Sequence, residues 1–179
     1  MDQNRQTEAA VLDAIGIAAP YAQSRPLRIA TLDLAPPGPG ELLVRIEAAG
    51  LCHSDLSVVN GDRPRPVPMA LGHEACATVI ATGPGCRLAA GDRVVLAFLP
   101  ACGHCQPCLS GETWLCSNGA AANGRGELLG GGCRLSEAGH AVHHHLAQRP
   151  AQPRDGLRAG RGVDHQLGHQ AVVMRRHHI

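Results

Sequence analysis

Four cysteines, Cys102, Cys105, Cys108 and Cys116, fall inside one stretch of fifteen residues. That spacing, C-x2-C-x2-C-x7-C, restricts what the chain can fold into more than any other feature. Four thiolates on one compact loop make a tetrahedral sulfur site of the kind that suits zinc or an iron–sulfur cluster. Ferredoxin-type clusters use a last gap of three followed by Cys-Pro. Here the last gap is seven and Ser117 follows Cys116, which favours zinc. All four positions are cysteine, so none is left open for water or substrate, and a structural metal is expected. Four unliganded thiols buried only as packing is the weaker alternative. His104, inside the loop, is a possible substitute ligand but is expected to face solvent.

Composition bounds the rest. The chain has 179 residues and a formal net charge of +1. At about 100–200 residues per domain, this is one domain with a tail, or two very small ones. Hydrophobic residues make up 44%. The aromatics are limited to Tyr21, Phe98 and Trp114, so the core must be aliphatic. A near-neutral chain argues against a dedicated nucleic-acid binder, whose footprint would be a basic face. No stretch approaches the roughly 20 apolar residues of a membrane span. The opening Met1-Asp2-Gln3-Asn4-Arg5 does not read as a signal peptide. A cytoplasmic location is therefore expected, where thiols stay reduced and clustered cysteines serve as metal ligands rather than disulfides.

Residues 1–100 read as short strands broken by Pro and Gly. Glu41–Ala49 alternates Val44, Ile46 and Ala48 with Leu43, Arg45 and Glu47, the period of a half-buried strand. It follows the turn signal Pro36-Pro37-Gly38-Pro39-Gly40. Further strands are expected at Ala9–Ile15, Leu27–Leu34, Ala75–Thr82 and Arg93–Phe98. A short helix is expected over Asp55–Asn60, with Ser54 as N-cap and Gly61 as stop. Short strands with turn residues between them point to a barrel-like β domain.

A second candidate metal set is divided in two. Gly50-Leu51-Cys52-His53-Ser54-Asp55 directly follows the Glu41–Ala49 strand, and Gly72-His73-Glu74 opens the next one. A Cys and a His brought together at strand ends would hold a second zinc. Each half alone is weak, because a single Cys after a strand is usually a small buried hydrophobe and a single His is usually a surface or hydrogen-bonded core residue.

Taken together, G-L-C-H-S-D at 50–55, G-H-E at 72–74, G-D-R-V at 91–94 and the cysteine loop at 102–116 resemble one family. They look like the N-terminal, chaperonin-10-like (GroES-like) catalytic domain of zinc-dependent medium-chain alcohol dehydrogenases. The order of the motifs and the gaps between them match over roughly Thr7–Leu146. The resemblance implies a mainly β (α+β) fold, a partly open barrel carrying a structural-zinc loop. It implies that Cys52 and His73 are ligands of a catalytic zinc, with Glu74 beside the metal as an occasional ligand. Asp55 would accept a hydrogen bond from His73 and fix its tautomer. Ser54 would pass the substrate's hydroxyl proton towards solvent. His53 would approach the cofactor's phosphates or join the relay. Cys102, Cys105, Cys108 and Cys116 would hold the structural zinc. The implied reaction oxidises a small alcohol, or reduces an aldehyde, through a zinc-polarised alkoxide and hydride transfer to NAD(P).

The chain also departs from that pattern. The family's third zinc ligand, usually a Cys well after the structural loop, is not visible. Cys133 comes too early, and Cys76 and Cys86 read as strand and loop fillers. No G-x-G-x-x-G turn of a Rossmann domain is present. Gly124-Arg125-Gly126-Glu127-Leu128-Leu129-Gly130 has the wrong spacing. His143-His144-His145 reads as local structure rather than a metal site. The domain division expected is 1–146 for an incomplete catalytic domain and 147–179 for an atypical tail. That tail holds six Arg, four His and two acidic residues, a composition expected to be disordered. All sixteen basic residues are Arg, the mark of a GC-rich gene. A reading-frame shift near residue 147 would account for the tail, with a naturally short protein as the alternative. The expected function is a zinc-binding catalytic-domain fragment of an NAD(P)-dependent alcohol dehydrogenase, inactive alone. The alternative is a non-enzymatic zinc-binding structural or interaction module. Nucleic-acid and membrane partners are not expected, and the oligomeric state is open.

Overall fold

Alternating apolar residues between Gly- and Pro-rich turns force this chain into short strands that must bury one face each. The computed structural model describes residues 5–144 and 170–172. Among them are strands β1 (Arg5–Leu12), β2 (Leu27–Leu34), β3 (Glu41–Ala49), β4 (Met69–Ala70), β5 (Ala75–Thr82), β6 (Arg93–Leu96), β7 (Leu135–Glu137), β8 (His140–His144) and β9 (Gln170–Val172). The helices are α1 (Tyr21–Ser24), α2 (His53–Val59), α3 (Gln106–Leu109) and α4 (Ser117–Gly124), with a 3-10 turn at Thr113–Leu115.

The strands form a closed ring in the order β1-β2-β7-β8-β4 and a four-stranded sheet in the order β6-β5-β3-β9. This is the barrel-like β domain expected. Its interior is aliphatic. Val11, Ala30, Leu32, Leu34, Leu43, Leu135 and Val142 pack inside the ring. Leu42, Val44, Ala77, Val79, Val94 and Leu96 form the core of the second sheet. Leu43 therefore faces one core while Leu42 and Val44 face the other, so β3 is buried on both sides over its first half. Bulges between Leu43 and Val44 and between Ile46 and Ala48 break its pairing with β5, and its end at Glu47–Ala49 is exposed.

A buried ion pair fixes the start of β3. Glu41, 3% exposed, accepts from Arg134 Nε at 2.7 Å, Arg134 Nη2 at 2.9 Å and the Gly38 N–H at 2.7 Å. The bidentate guanidinium contact and the added backbone donor satisfy most of the carboxylate's acceptor capacity, which a buried charge requires. Gly83 must stay glycine beside it, because a Cβ there would collide with the Gly38 carbonyl oxygen.

Strands β2, β3 and β5 lie where the sequence predicts them. The first strand lies earlier than expected, at Arg5–Leu12 rather than Ala9–Ile15. Eight antiparallel pairs with β2, from Arg5↔Leu34 to Leu12↔Leu27, set its ends. β6 stops at Leu96, two residues short of the expectation, where its pairing with β5 ends. The helix begins at His53 with Cys52, not Ser54, as N-cap. The reason is that Asp55 reaches back to the Cys52 N–H at 3.2 Å, closing the first turn two residues earlier. The expected disordered tail lies outside the described residues except for 170–172, which pair in parallel with Glu41–Leu43 of β3.

His144, on β8, is 3% exposed, and among the described residues neither ring nitrogen has a hydrogen-bond partner. Burial pushes its pKa down to about 4, so the folded chain holds it neutral. The unfolded chain binds the proton more readily, near pH 6.5. Stability is therefore fully present above that pH and falls as pH drops towards about 4, by up to roughly 3 kcal/mol. Urea denaturation at pH 7 and pH 4.5 checks this: the wild type should lose more stability between the two than H144L.

Candidate metal centres

The end of β3 delivers Gly50-Leu51-Cys52 to the first turn of α2, and the start of β5 delivers Gly72-His73-Glu74 to the same place. Cys52 Sγ, a His73 ring nitrogen and a Glu74 carboxylate oxygen lie within 4.8 Å of one another. Asp55 ties the two segments together. Its carboxylate, 8% exposed as a residue, accepts from the Cys52 N–H at 3.2 Å, the Gly72 N–H at 3.2 Å and His73 Nδ1 at 3.1 Å. A carboxylate only accepts, so the imidazole proton is on Nδ1 and the Nε2 lone pair faces outward. Ser54 Oγ stands 3.1 Å from that Nε2 and donates to Cys52 Sγ at 3.2 Å. Glu74 Oε1 is 3.9 Å from Nε2.

These contacts tune the donors. Hydrogen bonds from the Ser54 hydroxyl and N–H hold the Cys52 thiol below the ordinary cysteine range. Burial pushes His73 down, but the Asp55 hydrogen bond and charge, with Cys52, outweigh it and raise the imidazole. One thiolate-prone sulfur, one oriented imidazole and one carboxylate form a donor set that zinc accepts. The Phe98 ring packs edge-on against His73, with centroids 4.9 Å apart. Beside it opens a cleft of about 620 Å³ lined by Ala48, Ala49, Gly50, Glu74, Cys76, Val95 and Phe98 among others. Apart from Glu74 its walls are apolar.

The second centre is the cysteine loop. Cys102, Cys105, Cys108 and Cys116 bring their sulfurs within 4.8 Å of one another. Cys105 caps α3 and Cys116 caps α4. Backbone donors aim at the sulfurs: Cys102 N and Gly119 N at Cys116 Sγ (3.3 and 3.2 Å), and Cys105 N at Cys102 Sγ (3.4 Å). Asn118 Nδ2 also donates to Cys102 Sγ at 3.3 Å. Donors converging on sulfur stabilise thiolates, so this donor set fits a metal. The Cys108 N–H foremost draws Cys105 down to about 6, while burial pushes Cys108 up to about 12. Gly119 is required, because a Cβ there would strike the Pro100 carbonyl oxygen.

His104 is exposed, its Nδ1 3.0 Å from the Cys102 carbonyl oxygen. His53 is exposed beside Ser54. Cys133 lies 3.8 Å from His143 Nδ1 and Cys86 donates to the Glu41 carbonyl; among the described residues neither joins a donor set. His145 lies outside the described residues. Phe98, Asn118 and Gly119 were not singled out in the sequence. Phe98 had one signal, as the chain's sole phenylalanine.

A β domain with a four-cysteine loop and a Cys-His-Glu set at two strand ends defines a metal-binding domain of the zinc-dependent dehydrogenase type. Residues 38–150 match the alcohol dehydrogenase GroES-like domain, and the chain belongs to that family. It is 36% identical over 131 residues to S-(hydroxymethyl)glutathione dehydrogenase of Escherichia coli, covering 72% of this chain and 36% of that protein. The structure resembles an alcohol dehydrogenase zinc-binding domain protein from Burkholderia ambifaria, with TM-score 0.70 and 40% identity over 80% of this chain and 37% of that one. It also resembles benzyl alcohol dehydrogenase from Acinetobacter calcoaceticus, with TM-score 0.67 and 32% identity over 80% and 36%. The chain thus spans about a third of the length of these relatives. No helix among the described residues is long and apolar enough to cross a membrane.

Asp55→Ala removes acceptors from at least three donors, two of them backbone. The expected cost is about 2–3 kcal/mol of stability and a roughly 10–100-fold loss of affinity at the Cys52 centre. Denaturation and zinc titration of the variant measure both, and the cysteine loop should keep its metal.

Proposed function

We propose that this chain is the zinc-binding catalytic part of an NAD(P)-dependent alcohol dehydrogenase acting on small alcohols and aldehydes. The observation that carries this is the joining of Cys52, His73 and Glu74 at one point, with Ser54 Oγ 3.1 Å from His73 Nε2. Zinc bound there would supply a Lewis acid that lowers the pKa of a coordinated hydroxyl. The chain's own residues do the rest. Cys52 and His73 would hold the metal, with Glu74 beside it as a further ligand. Asp55 keeps the imidazole proton on Nδ1. Ser54 accepts the substrate's hydroxyl proton and passes it outward along exposed His53. A bound nicotinamide would supply a two-electron acceptor for the hydride on the substrate carbon, the alcohol being oxidised by two electrons and the cofactor reduced by two. Phe98 and the apolar cleft walls position the substrate carbon. The cysteine loop holds a structural zinc.

No dinucleotide-binding fingerprint falls within these 179 residues, and a nucleotide-binding half would hold the nicotinamide. The isolated zinc-loaded chain should produce no NADH from benzyl alcohol and NAD. Paired with a separately expressed nucleotide-binding half it should, with S54A lowering the rate about 100-fold or more and C52S abolishing it. Ordinary turnover by the isolated chain, or none by the pair, would contradict the proposal.

A further inference from the structure

Two arginines linked to the Cys52 centre through Phe98 meet no carboxylate among the described residues. Arg28, Arg45, Arg125 and Arg134 each meet a carboxylate at 3.0 Å or less. Arg63 and Arg65, which follow α2, meet none among the described residues. Arg65 Nη2 donates to Asn123 Oδ1 at 2.8 Å, and its Nε is buried with no acceptor. The Arg63 guanidinium lies over the Phe98 ring, 5.4 Å from its centroid. Asp62, between α2 and Arg63, is taken up in a turn by Asn60 Nδ2 at 2.7 Å. Glu74 lies against His73, 3.9 Å from its Nε2.

Both arginines are attached to Phe98. Arg63 covers its ring. Arg65 holds Asn123, whose Nδ2 donates to the Phe98 carbonyl at 3.2 Å. The same ring touches His73 and lines the cleft. Ring contacts of 4.9 and 5.4 Å therefore separate the imidazole from the Arg63 charge. Two neighbouring cations repel each other, and an anion beside them would relieve that cost. A guanidinium offers the planar donor fork that matches a carboxylate.

We propose that Arg63 and Arg65 form an anion-recognising rim on the candidate active site and select alcohols or aldehydes that carry a carboxylate. A substrate with its hydroxymethyl group at the Cys52 centre and its carboxylate across one aromatic ring spans the gap. This rests on the alcohol dehydrogenase reading, and direct binding to the zinc-loaded full chain tests the two separately. The probes are 4-(hydroxymethyl)benzoate and benzyl alcohol, titrated by calorimetry with zinc content measured alongside. The carboxylated probe should bind about tenfold tighter, the gain of one charge-assisted contact. R63Q, exposed and tolerant, should erase most of that difference, and R63Q with R65Q all of it, whereas R63K should keep part.

Equal affinity for the two probes would overturn the rim and leave the zinc-site reading standing. A preference that survives R63Q with R65Q would place the carboxylate on the metal and overturn it too. Competition by inorganic pyrophosphate as strong as by the carboxylated probe would assign the arginines to a cofactor phosphate instead. A chain that takes up no zinc at Cys52 and binds neither probe would overturn both.

Discussion

The Asp55 carboxylate is the point on which the candidate active site depends. It accepts the Cys52 N–H from the first turn of α2, and the Gly72 N–H and His73 Nδ1 from the start of β5. Two segments twenty residues apart in sequence are thereby joined by a single side chain. The same contact sets where α2 begins, which tautomer His73 takes, and how far Cys52 stands from that imidazole. A neutral or shorter side chain would leave backbone donors buried without an acceptor, a cost of the same order as a whole tertiary contact.

Rigidity comes to this anchor from two directions. Val58 and Val59 on α2 pack with Leu12 of β1 and Met69 of β4, fixing the helix to the ring. The bulged β3–β5 pair fixes the other segment. β3 itself is held at its start by Glu41 and Arg134, and both its faces are buried there, so its exposed end is free only to present Gly50 and Cys52. The cysteine loop is a separate small core. Cys108 and Cys116 are fully buried with Ala101. With so few apolar neighbours, a metal would be expected to supply much of that loop's stability.

Much of this was legible in the sequence because the chemistry is local. The four-cysteine loop is read from spacing alone, and the ends of β2, β3 and β5 follow Pro-Gly punctuation such as Pro36–Gly40 and Gly83-Pro84-Gly85. The misplaced features were set by tertiary partners. β1 begins at Arg5 because β2 pairs with it along its full length. Cys52 caps α2 because Asp55 turns back onto it, a role that Ser54 fits better on composition. Phe98 against His73, Asn118 on Cys102 and the Arg63–Phe98–Arg65 grouping join residues far apart in the chain, with no periodicity to announce them.

Zinc content combined with X-ray absorption of the zinc-loaded chain tests the central claim most directly. Two zinc ions per chain are expected, one with four sulfur ligands near 2.3 Å and one with a single sulfur and shorter nitrogen or oxygen bonds near 2.0–2.2 Å. C52S should remove the mixed-ligand ion and leave the sulfur-only one. One zinc per chain with sulfur ligands only, unchanged by C52S, would contradict the account and leave a structural zinc module in its place.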